Sequence, residues 1–164
     1  MSSNSVVEMN KNTLLQAIIE RLADDLEVAR RAAQTAYETA THEENVAENK
    51  YDTLGLEASY LATGQARRME EIRQGLLRFQ QLKLRDYDDE TGVELGALVQ
   101  LLAAGKAAQW FFLGPEAAGL KVDCEGQQVM VITPLSPLGS ALLGKFAGDD
   151  LTVSNLTYEI VDAL

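Results

Sequence analysis

Residues 14–42, LLQAIIERLADDLEVARRAAQTAYETATH, and 58–79, ASYLATGQARRMEEIRQGLLRF, decide how this chain folds. Leu15, Ile19, Leu22, Leu26, Ala29, Ala33, Ala36 and Ala40 follow one another in alternating steps of four and three, the repeat of a coiled-coil seam. Ala58, Ala62, Gln65, Met69, Ile72, Leu76 and Phe79 repeat it. Side-chain size falls along the first series and rises along the second, so only an antiparallel pairing sets large against large and Ala against Ala. With Leu15 level with Phe79, the turn centres near Ala47, among His42, Glu43, Glu44, Asn45, Glu48, Asn49 and Asp52. The expected tip is narrow and acidic.

Working outward, residues 1–82 are read as this hairpin, with its tip near 42–52. Asn12 or Thr13 is placed to cap the first helix, a side-chain oxygen satisfying one of its free N–H groups. That helix should run to Thr41–Asn45, roughly 45–50 Å at about 1.5 Å per residue, a length that suits an arm carrying its tip to a partner. Gly64 and Gly75 interrupt the second helix, each costing up to about 1 kcal/mol against Ala, and read as possible bends. Residues 83–92, KLRDYDDETG, form a charged linker without periodicity.

Residues 93–164 have a different texture. Val93–Ala103, Ala108–Leu113, Val129–Thr133, Leu151–Ser154 and Leu156–Val161 read as strands. Between the third and fourth lies a short helix: Ser136 caps it, Pro137 sits in the first turn, Leu138, Leu142 and Leu143 form its apolar face, and Gly144 ends it. The expected class is α+β, an N-terminal antiparallel two-helix coiled coil followed by a small α+β domain with an antiparallel sheet.

Composition narrows the partners. Twenty-five acidic residues against 14 Lys and Arg give a net charge of −11, which argues against nonspecific binding to nucleic acid or an anionic membrane and in favour of a protein partner. A single cysteine, Cys124, permits no internal disulfide and no Cys-based zinc site, as expected in a reducing cytoplasm. No stretch approaches the roughly 18 apolar residues of a membrane span, and residues 1–12 have no export signal pattern. A cytoplasmic monomer that does not engage membranes is expected.

The C-terminal punctuation resembles that of the bacterial transcript cleavage factors of the GreA/GreB family. Their S-P-L-A-x-A-L-L-G-K-x-x-G-D-x-V stretch is similar to Ser136-Pro137-Leu138-Gly139-Ser140-Ala141-Leu142-Leu143-Gly144-Lys145, followed by Gly148-Asp149-Asp150-Leu151. Trp110–Ala117 is similar to the family's Y-x-I-V-G-P-x-E-A, and Tyr158–Val161 to its closing Y-E-I-V. At the tip, Glu48-Asn49 matches the end of an acid-x-x-E-N pattern, but Asn45 stands where the first acid belongs, with Glu44 one place further out. The stretch after the tip also departs from the commoner form, so the resemblance is to a divergent branch.

The resemblance implies an FKBP-like C-terminal domain that binds RNA polymerase through Ser136, Pro137 and Leu138, and a coiled coil that enters the polymerase's secondary channel. Glu44 and Glu48 would then be the catalytic, metal-holding acids, lending a second Mg²⁺ to the polymerase's own carboxylates. Two metals clamp the attacking water and the leaving oxygen of the phosphodiester, and Mg²⁺ needs only one or two protein carboxylates. The protein would be an accessory factor, without an enzymatic activity of its own. Arg30, Arg31, Arg67 and Arg68 would form a patch toward the nascent RNA 3′ end.

Plainer readings stand beside these. Glu-rich turns are often simply solvated, and Glu27 and Glu70 are spaced to pair with Arg30, Arg31 and Arg67 within their own helices. Trp110, Phe111 and Phe112 read as core strand residues rather than a base-stacking platform, and Cys124 as inert. Three functions are expected to compete: a cleavage-stimulating elongation factor, a channel-binding regulator without cleavage activity, and a prolyl isomerase or chaperone suggested by fold alone.

Overall fold

The computed structural model describes residues 9–46 and 53–164, with side chains described at 9–42 and 56–164. Helices α1 (Lys11–Val46) and α2 (Thr53–Gln81), of 36 and 29 residues, precede a six-stranded sheet. The strands are β1 (Leu98–Ala103), β2 (Gln109–Leu113), β3 (Lys121–Cys124), β4 (Gln127–Ile132), β5 (Asp150–Val153) and β6 (Leu156–Ala163), and α3 (Pro137–Leu142) lies between β4 and β5. This is an α+β protein. It divides into two compact units, one of residues Glu20–Leu77 and the other combining Arg78–Leu164 with Ile19 and the described residues before it. The division therefore falls within α1 and α2, whereas the sequence boundaries lay at 82 and 92.

The sheet order is β3-β4-β2-β1-β6-β5. Every neighbouring pair is antiparallel except β2 and β4, which run parallel. The sheet is thus mostly antiparallel, as expected from sequence, and its one parallel pair comes from β3, which the strand reading missed: the chain leaves β2, descends the sheet edge as β3, and returns as β4 beside β2. Lys121–Cys124 is short and half polar, with alternate residues buried, so it gave little hydrophobic signal.

A second correction concerns Val93–Ala97, which does not form the start of β1. Gly92 and Gly96 have φ of +76° and +92°, backbone that an extended strand does not use. A Cβ at Gly92 would lie 2.7 Å from the Lys145 carbonyl oxygen, so this glycine permits a close backbone approach. Val93 N–H donates to Lys145 O at 2.8 Å, and Gly144 N–H to Val93 O at 2.9 Å.

Strand alternation gives the sheet two apolar faces. Val99, Leu101, Phe111, Leu113, Ile132 and Ile160 join Leu142 of α3 in one cluster, with Leu138 and Ala141 packed against it. Leu98, Phe112 and Val131 are paired across the strands and fully buried. Phe112 stacks against Phe79 at the end of α2, with ring centroids 6.5 Å apart. Each such aromatic or aliphatic side chain contributes about 1.5–3 kcal/mol on burial.

Helix α1 starts earlier than its expected caps. Asn10 Oδ1 accepts from the N–H groups of Asn12 at 2.9 Å and Thr13 at 3.2 Å, so Asn10 caps the helix. At the base of the seam, Leu14 and Ile18 are fully buried, whereas Leu15 and Ile19 are half-buried. The inward face there is shifted by one residue because these positions belong to the sheet-containing unit and need not follow a two-helix repeat. Beyond it, Leu22, Ala29, Ala36 and Ala40 are buried as the repeat predicts. Helix α2 continues through Gly64 and Gly75 without a break.

Candidate functional site

The tip is delimited by the end of α1 at Val46 and the start of α2 at Thr53. Glu44 lies in the last turn of α1, and only its backbone is described; Glu48, Asn49 and Asp52 lie outside the described residues. His42, the last described side chain before them, is exposed. Among the described residues there is no group of three or more His, Cys, Asp or Glu able to hold a metal ion.

Within the Glu20–Leu77 unit, α1 and α2 share an apolar groove of about 390 Å³ lined by Ala32, Thr35, Ala36 and Thr39 on one side and Ala58, Leu61 and Gln65 on the other. These positions are roughly equidistant from the connection at 47–52, as in an antiparallel pair. Glu27 accepts two hydrogen bonds from Arg30, at 2.8 and 2.9 Å, and one from Arg31 at 3.0 Å. Together these donors hold the Glu27 carboxyl down at about 2, with the Arg30 hydrogen bond the largest cause. Glu70 turns to Arg73, at 2.6 and 2.9 Å, rather than to Arg67, and its carboxyl is likewise held at about 2, chiefly by Arg73 and then by Gln74. Arg67 and Arg68 make no hydrogen bond or ion pair among the described residues. The intrahelical reading thus holds for Arg30 and Arg31 and fails for Arg67.

The sheet-containing unit carries the second candidate, around α3. Ser136 is the N-cap: its Oγ accepts from Gly139 N–H at 3.2 Å and donates to Thr133 O at 2.7 Å. Its hydroxyl is therefore engaged inside the turn. Leu138 packs against the core cluster, which leaves Pro137 as the exposed member of the Ser136, Pro137 and Leu138 set. Leu135, one residue earlier, is 96% exposed. Nothing in the residue pattern singled it out, because an isolated Leu between two prolines reads equally well as core. Gly144 has φ +76°, the left-handed conformation expected where the helix ends. Asp149 Oδ2 accepts from Phe146 N–H at 2.8 Å, and Tyr87 Oη from Ala147 N–H at 2.9 Å.

Lys11 precedes the caps expected from sequence and lies in the first turn of α1. Its half-buried Nζ donates to the carbonyl oxygens of Arg85 and, at 3.1 Å, Leu164, beside a cavity of about 440 Å³. Burial lowers its pKa, opposed by the charge of Asp86. Cys124 is buried, and burial followed by the neighbouring Glu125 raises its thiol pKa, the opposite of an activated cysteine. Phe111 and Phe112 are buried strand residues, as expected, and Trp110 is half-buried. No described helix is long and apolar enough to cross a membrane.

Two long helices followed by a capped α+β sheet unit define the class of this protein. No protein-family model matches the chain, and no curated protein does. Among solved structures, it is similar to the GreA factor homolog 1 (Gfh1) protein of Thermus thermophilus, at 22% identity over 89% of this chain and 94% of that one, with a TM-score of 0.37. Thermus aquaticus Gfh1 is 22% identical over 90% of this chain and 94% of that one, with a TM-score of 0.36. A further structure, of the transcription factor Gfh1, is 26% identical over 90% and 93%, with a TM-score of 0.36.

Proposed function

We propose that this chain is a Gre-like transcription elongation factor that binds RNA polymerase, places its helical hairpin in the secondary channel, and stimulates cleavage of backtracked RNA. The observation that carries this reading is Ser136–Leu151: the residues that resemble the GreA/GreB pattern include a helix cap at Ser136, a left-handed stop at Gly144 and a carboxylate bracket at Asp149. In this role Glu44 and Glu48 supply carboxylate oxygens, the donor type Mg²⁺ takes, and the polymerase performs the hydrolysis. Such a factor is not itself an enzyme. Arg67 and Arg68, free of carboxylate partners among the described residues, are better suited than Arg30 and Arg31 to approach the RNA 3′ end.

A second reading is supported by Asn45, which occupies the position of the first acid in the tip pattern. With one carboxylate missing, the same chain would occupy the channel and inhibit or compete with cleavage factors. Stalled elongation complexes with Mg²⁺ test both. Shortened transcripts that disappear with Glu48→Ala, while binding persists, support cleavage stimulation. Binding without shortened transcripts supports the regulator. Absence of binding overturns both readings.

A further inference from the structure

Gly64 lies in the interior of α2, where glycine is the least favourable residue after proline, and a Cβ built on it meets nothing within 4 Å. No contact within the chain therefore requires a glycine there. One turn before it stands Leu61, 58% exposed at the edge of the groove that α1 and α2 share. One turn further out on either side are Glu57 and Arg68, both exposed. Glu57, Leu61, Gly64 and Arg68 follow in steps of four, three and four, so they occupy one stripe of the helix surface. Its order is acid, large, empty, base. Turned end for end, the stripe reads base, empty, large, acid, and each member then faces its complement.

On α1 the same steps separate Val28, Ala32, Thr35 and Thr39. Ala32, Thr35 and Thr39 line the other wall of the groove, and Val28 is 69% exposed. Two stripes of equal spacing on one face of an antiparallel pair admit a common two-fold axis, passing between Ala32 and Thr35 on α1 and between Leu61 and Gly64 on α2. The groove sets these two points opposite one another. Glu57 and Arg68 lie roughly 16 Å apart along their helix, at about 1.5 Å per residue, so they cannot meet within one copy. Neither forms an ion pair among the described residues.

We propose that the partner of this face is a second copy of the chain, bound antiparallel across that axis. Leu61 of each copy fills the notch over Gly64 of the other, and Glu57 of each reaches Arg68 of the other. Val28 and Ala32 meet Thr39 and Thr35 of the second copy, side chains small enough for the helices to approach closely. Such an interface is isologous, so every contact is made twice. Burial of the two leucines supplies the affinity, whereas the exposed ion pairs choose the register. The net charge of −11 opposes the pairing of like copies, and this register is favoured because it sets the face's unpaired base against its unpaired acid.

Analytical ultracentrifugation of the full chain alone at low salt, from low micromolar to near-millimolar concentration, is the test. The wild type should pass from monomer to dimer within that range. Gly64→Leu places its side chain in open space and adds a strong helix former, so it should melt no lower than the wild type where both are monomeric, yet weaken dimerisation about a hundredfold. Glu57→Arg and Arg68→Glu should each weaken it about tenfold, because each sets like charges together twice. The double variant, Glu57→Arg with Arg68→Glu, should return to within about threefold of the wild type. A wild type that stays monomeric at every concentration overturns the inference. Dimerisation undisturbed by Gly64→Leu, or charge reversals whose losses add instead of cancelling, overturns it as well. All of these outcomes are independent of the polymerase reading, since no polymerase is present.

Discussion

The ring of Phe79, two residues before the end of α2 at Gln81, stacks on that of Phe112 at the middle of the sheet, with planes inclined by 29°. Both rings are fully buried. Gly114 completes the contact: a Cβ there would lie 2.8 Å from the Phe79 ring and 3.2 Å from Val131 Cγ1. One aromatic side chain therefore fastens the end of α2 to the sheet. Phe79→Ala should cost about 3–5 kcal/mol and lower the thermal midpoint by roughly 6–20 °C. Melting followed by near-ultraviolet circular dichroism checks this, and an unchanged midpoint would remove Phe79 from its assigned role.

Gly139 stands where the GreA/GreB pattern has alanine, yet a Cβ at this position would meet Thr133 O at 1.9 Å. The turn that presents Leu135 is thus closed too tightly for any side chain at 139. Gly139→Ala should force Thr133 and Ser136 apart and destabilise the fold by about 1–3 kcal/mol. Denaturant unfolding of the two proteins is the measurement, with equal midpoints the contrary result.

Acid should act on the helical unit through Glu27 and Glu70. Each folded-state carboxyl is depressed from 4.5 to about 2, so its stabilising contribution is fully present above about 4.5 and is lost as pH falls toward about 2. Both pairs are solvent-exposed, so screening limits their contribution. Carbon-detected NMR titration of the two side chains at low salt should give midpoints well below those of ordinary glutamates, moving upward in high salt. Ordinary midpoints at low salt would contradict the paired geometry.

Lys11 connects three stretches of chain through the carbonyl groups of Arg85 and Leu164. Beside it, Leu98 and Leu164 exchange backbone hydrogen bonds of 3.1 and 2.8 Å. Lys11→Met retains the aliphatic stem and removes the ammonium donors, costing about 1.5–3 kcal/mol. Hydrogen exchange at the amides of Leu98 and Leu164 should accelerate. Unchanged protection would show that the ammonium group holds nothing together.

Much of this architecture was legible where the chain punctuates itself. Ser136, Pro137 and Gly144 each bring a distinct backbone constraint, and together they located α3 to within a residue. The alanine-rich stretch of α1 was legible because Ala29, Ala36 and Ala40 keep one face over many turns. Its base was not, since Leu14 and Leu15 are both apolar and only packing chooses between them. Val93–Ala97 misled for a related reason: its apolar residues satisfy a strand pattern, while the glycines at 92 and 96 set the backbone. Around α3, the structural places of Ser136 as cap and Leu138 on the apolar face were legible in the residue pattern, and hydrogen bonding and core packing hold them there. The exposure of Leu135 had no signal in that pattern.

The placement of β6 beside β1 has a consequence for biosynthesis. Strand β1 must wait for residues 156–163 before one of its edges is satisfied, and the start of α1 is part of the same unit. This portion therefore cannot close until Leu156–Ala163 has left the ribosome, whereas the local contacts of residues 20–77 require only their own emergence. Stalling translation before residue 156 should leave a helical but sheet-deficient nascent chain that a protease attacks downstream of Leu77.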